Sequence, residues 1–235
     1  MYNWAGAGIC EDPWRPCYGN YITENFAVRI AGDGERDGHP WDLGKGGVGF
    51  WLRSPFNAVV DNVAANCWGK QGPYSYGFAV NATHLETVNV PLEPGAEPSP
   101  INGNAIGLLW FAGNECYGCQ NGLTLWWLGT HYATVLGSAG TVKDFTAWHI
   151  RQWAYFGYET AGLTLDGFTV RGDTRLDISD WTQTGILFGD YFQKGTRIVN
   201  PDIDGCQLGI ETGTWCDGQL AIEGGRLKNR WNVKV

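Results

Sequence analysis

Two short strand-like patterns alternate along this chain, seven copies of each, with no stretch of helical periodicity between them. The first reads apolar, any, Asp/Asn/Glu/Gly, often Asn, any, apolar, and starts at Ile22, Val59, Phe111, Val142, Leu165, Ile198 and Ile222. Successive starts lie 37, 52, 31, 23, 33 and 24 residues apart, so a unit near 23 residues recurs with insertions. The second pattern, Gly, apolar, any, then usually apolar, precedes each start, at Gly8, Gly49, Gly77, Gly122, Gly157, Gly185 and Gly209. Units this short cannot bury a face alone and must stack, which is the signature of a solenoid. Asn-Gly hairpin dipeptides occur only at Asn102-Gly103 and Asn121-Gly122, which argues against antiparallel pairing. The expected fold is therefore all-β, a right-handed parallel β-helix of about seven coils. It fills residues 1–235 as one domain, and 82–105, with three prolines in LEPGAEPSPINGN, reads as a loop insertion.

Stacking the copies aligns columns of side chains. The fourth position of the first pattern reads Asn25, Asn62, Asn114, Phe145 and Phe168. On coils about 4.8 Å apart, asparagines can chain their amides and phenylalanines can stack, so this column is structural.

Totals narrow the function. The formal net charge is −8, with no Lys/Arg run, which disfavours nucleic acid and anionic membranes as partners. No apolar run reaches the length of a membrane span. Thirteen tryptophans in 235 residues is several times ordinary usage and asks for either a core or a flat ligand surface. Seven cysteines point to an oxidising compartment. Column register pairs Cys67 with Cys119 as a disulfide and leaves Cys116 as a buried odd thiol. Cys10 with Cys17, and Cys206 with Cys216, could each close a short loop. The N-terminal MYNWAGAGIC has no signal-peptide character, so the chain reads as an extracellular protein truncated at its N-terminus.

The segments GAGICED, NYITENFAVRIAGDGERD, GVGFWLRSPFNAVVDNVAAN, GNECYGCQNGLTLWWLG and VKDFTAWHI carry a resemblance. Over about residues 5 to 173 they resemble the β-helix of bacterial relatives of the cell-migration-inducing hyaluronidase family, within the pectin-lyase-like superfamily. The resemblance implies extracellular glycan chemistry, including hyaluronan cleavage, with the glycine-led strand lining the substrate groove. No catalytic motif of that family maps onto this chain.

Strand alternation supplies the candidate site residues. Two positions after each glycine the outward column is Cys10, Trp51, Ala79, Thr124, Glu159, Leu187 and Glu211; four positions after, it includes Arg53, Asn81 and Trp126. Two positions before, it includes Gln183 and Gln207. Trp51 and Trp126 offer flat apolar faces for sugar rings, with Arg53, Gln183 and Gln207 as polar neighbours. Glu159 and Glu211, in one column two coils apart, stand roughly 9 to 10 Å from each other, as in inverting glycoside hydrolysis. Asp190 could supply a third carboxylate. A one-residue slip would invert every column. The expected function is polysaccharide depolymerisation by hydrolysis rather than elimination, along one sheet face. The rival is a non-catalytic glycan-binding or structural coil stack, or an inactive piece of a larger enzyme. His131 and His149 are the remaining acid/base candidates. No cofactor is expected; calcium is the one cation that Asp42, Asp61, Asp202 and Asp204 could bind.

Overall fold

The computed structural model describes residues 7–10, 19–32, 46–69, 75–81, 87–90, 97, 99–102, 107–128, 139–173, 183–189, 195–213 and 218–235. Its strands form three parallel sheets that close into a right-handed solenoid of seven coils. The glycine sheet has eight strands: Ala7–Cys10, Val48–Leu52, Tyr76–Asn81, Asn121–Trp126, Trp153–Tyr158, Thr184–Phe188, Leu208–Glu211 and Trp231–Lys234. The second sheet runs from Tyr21–Thr23 to Leu220–Glu223 and the third from Phe26–Val28 to Arg226–Lys228, with seven strands each. Each coil takes one strand from the second, third and glycine sheets in turn. Among the described residues no helix is long and apolar enough to cross a membrane.

The register follows the first pattern at all seven starts, with Ile22, Val59, Phe111, Val142, Leu165, Ile198 and Ile222 paired in one row. The third position of that pattern is the corner between the second and third sheets. Glu24, Asp61, Gly113, Asp144, Gly167, Asn200 and Gly224 all hold φ between 50° and 68° there. Only short polar residues and glycine tolerate the left-handed region readily, which explains the Asp/Asn/Gly preference; Glu24 is the one longer side chain. Gly113 is confined further, because a Cβ would sit 2.0 Å from Asp61 Oδ1 on the coil below.

The next column behaves as expected. Asn62 Oδ1 accepts the backbone N–H and the amide of Asn25, both at 3.0 Å, and Asn114 Oδ1 does the same for Asn62. Phe145 and Phe168 continue the column as a ring stack, centroids 5.1 Å apart. The interior also carries stacked Phe50 and Phe78 (4.6 Å), so rings fill what small residues on the third sheet leave open.

The glycine column marks a close approach. A Cβ on Gly49 would lie 2.6 Å from Gly77 O and 3.0 Å from Ala64 Cβ on the facing sheet. Gly8, Gly49, Gly77, Gly122, Gly185 and Gly209 share that row by their neighbours' pairing, but Gly157 does not. Leu123 pairs with Tyr155 and Leu125 with Gly157, so Ala154 takes the glycine place and Gly157 lies three residues on. The reason is volume. Tyr155 points inward and is fully buried, and a Cβ on Gly157 would meet its hydroxyl at 2.7 Å. Gly157 leaves room for a phenol; it does not mark the bend.

Three further expectations are corrected. Cys67 and Cys119 are neighbours in register, yet both are free thiols, and Cys119 Sγ accepts the Cys67 backbone N–H at 3.4 Å. In-register parallel strands hold equivalent Cβ atoms near the strand spacing of about 4.8 Å, wider than the roughly 3.5–4.5 Å of a disulfide. The segment 82–105 contains the strands Thr87–Val90 and Ser99–Asn102, paired antiparallel, within what the prolines suggested was plain loop. Cys206 is also a free, buried thiol, so the expected pairing with Cys216 does not form; Cys17 lies outside the described residues, and the Cys10 pairing with it does as well.

Candidate functional site

The outer face of the glycine sheet changes character along the axis. On coils 1 and 2, Trp51 is only 5 % exposed and packs with Val48, Tyr76 and Ala79 in a cluster separate from the core. Arg53 is equally buried, and its Nη1 donates to Asn81 O at 3.0 Å, holding the next coil's corner. Neither is the open sugar platform that alternation suggested, because this stretch of the outer face is covered. Gln183 is also committed: its amide donates to Ile150 O and its Oε1 accepts the Asp173 N–H at 3.1 Å. It ties the corner before the sheet instead of facing a ligand.

On coils 3 and 4 large aromatic side chains reach the surface in part. The shift of coil 4 replaces Glu159 with Phe156 in the middle outward column and puts Tyr158 beside Trp126. Trp126, Trp153, Phe156 and Tyr158 form a half-buried aromatic wall. Trp153 stacks on Phe156 at 4.7 Å, and Trp126 meets Phe156 edge-on at 6.3 Å and Tyr158 at 5.1 Å. Gly189 on coil 5 makes the space for it, since a Cβ there would come within 2.8 Å of the Phe156 ring and 3.2 Å of Tyr158. Trp127 and Glu159 occupy the adjoining corner with φ of 63° and 48°. Trp148 lies elsewhere, stacked on Tyr117 at 4.6 Å on the third sheet, with its Nε1 donating to Glu115 Oε1.

Beyond the wall the face dips. Trp153, Thr184, Leu208 and Trp231 pair in one column over coils 4 to 7. Thr184 and Leu208 are low and covered, at 1 % and 7 % exposed, whereas Trp231 is 62 % exposed. Two tryptophans therefore stand on one line three coils apart, about 14 Å by strand spacing, with two buried residues between them. At the far end a cleft of about 470 Å³ is lined by Gln207, Leu208, Arg230, Trp231, Val233 and Lys234. Glu211 sits at its edge, ion-paired with Lys234 at 2.5 Å.

The carboxylates do not assemble as expected. Glu159 is largely buried in its corner, three residues past the column of Glu211 and two coils away. That offset is about 10 Å in each direction, wider than the roughly 5–9.5 Å used in two-carboxylate glycoside hydrolysis. Asp190, Asp42 and His131 lie outside the described residues. Among the described residues no group of three or more His, Cys, Asp or Glu side chains converges to hold a metal ion. Asp202 is instead engaged by Arg171 at 2.5 Å and Arg226 at 3.6 Å.

Sequence reasoning missed Trp153, Phe156, Tyr158 and Trp231. A signal for coil 4 existed in the intervals. From the first-pattern start to the glycine, coils 3 and 6 take 11 residues (Phe111 to Gly122, Ile198 to Gly209). Val142 to Ala154 takes 12, against 15 to Gly157. No family model, curated protein or solved structure matches this chain, so of the resemblance it is the fold that stands: a parallel β-helix.

Proposed function

We propose that this solenoid holds a polysaccharide along the outer face of its glycine sheet, between the coil 4 aromatic wall and the coil 7 cleft. The observation that carries the reading is the column Trp153–Thr184–Leu208–Trp231: two outward tryptophans on one line, one half-buried and one exposed, with two buried residues between them. Pyranose rings present apolar C–H faces that pack on indole and phenyl rings, while their hydroxyls stay in water. Exposing Trp231 to 62 % costs solubility unless something covers it. A polymer ligand of this kind implies an extracellular working site. Binding is favoured over depolymerisation because Glu159 and Glu211 do not flank a common point on the track.

A glycan panel tests this. Trp153→Ala and Trp231→Ala should each weaken binding of whichever polysaccharide is retained by at least about fivefold, roughly 1 kcal/mol, with the circular dichroism unchanged. Unchanged affinity in both variants would falsify the track. A reducing-end assay run in parallel reads turnover. Activity lost in Glu211→Gln with binding retained would assign that carboxylate to chemistry and replace the binding reading with a hydrolase.

A further inference from the structure

The two ends of the solenoid differ. At coil 1 the inward Ala27 and Ile30 are fully buried and Ile22 is half-buried. At coil 7 the residues that continue the interior lie open. Ile222 continues the row of Ile198, Leu227 that of Ile203 and Val233 that of Ile210, and all three of those isoleucines are fully buried. Ile222 and Val233 are 38 % and 44 % exposed, and Leu220 and Leu227 are half-buried. The strands of this coil, Leu220–Glu223, Arg226–Lys228 and Trp231–Lys234, are also edges of their sheets. A parallel strand spends half its N–H and C=O groups on one neighbour, so each edge turns the other half outward along the axis. Charges alternate toward the same end. On the second sheet Glu223 pairs with Arg197 at 2.8 Å, and on the third Arg226 pairs with Asp202 at 3.6 Å and with Asp204. The open end thus shows an acid on one sheet and two cations, Arg226 and Lys228, on the next.

We propose that the coil 7 end is the contact surface for a second copy of this chain, joined tail to tail about a two-fold axis perpendicular to the solenoid. An axis through the corner at Gly224 and Gly225 lays Leu220–Glu223 of one copy antiparallel on Arg226–Lys228 of the other. Ile222 then faces the partner's Leu227, inward residue against inward residue, and Glu223 faces the partner's Arg226. The alternation of charge continues across the contact, as Arg197, Glu223 and the partner's Arg226. Trp231–Lys234 lies antiparallel on its own counterpart, with Val233 toward the partner's Val233. Residues 218–235 form this coil, a little short of the roughly 20–30 that a standard interface uses on each side, so the association is of modest strength. A two-fold contact uses the same surface twice and closes at two copies. Contact between unlike ends would build a filament, and the buried interior of coil 1 offers no matching apolar section for it.

Sedimentation velocity and hydrogen exchange on the intact protein, from low to high micromolar concentration, test this. The mass should rise from one chain to two and stop there. Amide protection should rise with it in 220–223, 226–228 and 231–234, and stay constant in 21–23 and 26–28. Val233→Lys places a cation beside the axis in each copy and should weaken dimerisation at least about tenfold. Glu223→Lys, at an exposed position that tolerates the change, sets like charges across the contact and should weaken it about fivefold. Circular dichroism checks that each variant is folded, and Glu223→Lys carries the test if Val233→Lys is not. A single-chain mass at every concentration, a mass that grows past two chains, or concentration-dependent protection at coil 1 overturns the inference. So does unaltered dimerisation in the folded variants.

Discussion

One corner of the solenoid is built in two ways. In coils 1 to 3 the column after the left-handed residue is Asn25, Asn62 and Asn114; in coils 4 and 5 it is Phe145 and Phe168. The amides form a directional ladder. Asn62 alone accepts from Asn25 and donates to Asn114 Oδ1, Ile22 O and Val60 O, at 2.7 to 3.0 Å. Asn114 Nδ2 likewise donates to Val59 O at 2.7 Å. The rings instead fill volume, with Phe145 also meeting Phe78 edge-on at 5.7 Å. The ladder fixes which coil lies on which, because every amide needs its neighbour. The stack contributes buried area and tolerates small shifts. Register is thus set most firmly in the first three coils, and coil 4, where the rings begin, is the coil whose glycine place is taken by alanine.

The largest effect should come from emptying the ring half. Phe145→Ala leaves a cavity among Phe78, Phe111 and Phe168 and should lower stability by about 3–5 kcal/mol in chemical denaturation. A loss below 1 kcal/mol would mean the rings are not packed as described. Asn62→Ala comes next. It orphans the Asn25 N–H and removes the amide that Ile22 O and Val60 O accept, while Asn114 Oδ1 keeps the residue-62 N–H and Val60 O keeps the Glu24 N–H; a donor left dry costs about 1–3 kcal/mol, and Asn25 is only half-buried. A net loss of about 1–3 kcal/mol is expected. Hydrogen exchange should loosen in coils 1 to 3 and stay unchanged in coils 5 to 7; uniform loosening would contradict a ladder that acts locally.

The thiols sharpen the same contrast between polar and apolar interior. Burial pushes the Cys206 thiol from 9.0 up to about 12, helped by the nearby Asp204 charge. The hydrogen bond with Cys119, then burial, raises Cys67, and burial raises Cys116. The unfolded chain therefore releases these protons near pH 9 while the folded chain keeps them. Their contribution to stability is full below pH 9 and is lost as pH rises toward 12. At pH 10 the loss should be about 1 kcal/mol for Cys206. Stability that stays flat from pH 8 to 10.5 would argue against buried neutral thiols, as would rapid alkylation of the native protein at pH 8.

The smallest effect should be a gain. The Tyr155 hydroxyl is buried without a hydrogen-bond partner. Tyr155→Phe removes an unsatisfied polar group and keeps the ring, so stability should rise by about 1 kcal/mol. Gly157→Ala in the parent chain should be destabilising because its methyl meets that hydroxyl, and less so in Tyr155→Phe. Equal cost in both backgrounds would break the link between Gly157 and Tyr155.

Sequence by itself determined the coil count, the first-pattern register and the asparagine ladder, because repeats spaced by whole coils leave one way to stack apolar positions inward. It also put Trp126, Gln207 and Glu211 at outward positions of the glycine sheet, and that is where they lie. Tertiary structure alone decided which outward residues are reachable. Trp51 and Trp231 both stand on the outer side of the glycine sheet, yet Trp51, packed with Val48, Tyr76 and Ala79, is 5 % exposed and Trp231 on coil 7 is 62 % exposed, a difference the strand pattern does not carry. The three-residue shift of coil 4 was decided there too. Whether Gly157 bends the chain or makes room for a phenol depends on the volume left by Leu125, Phe188 and Tyr155 across three coils, and no local pattern encodes that sum. For the same reason the two thiols in register stayed apart: sharing a column brings side chains close, but parallel strands keep them side by side.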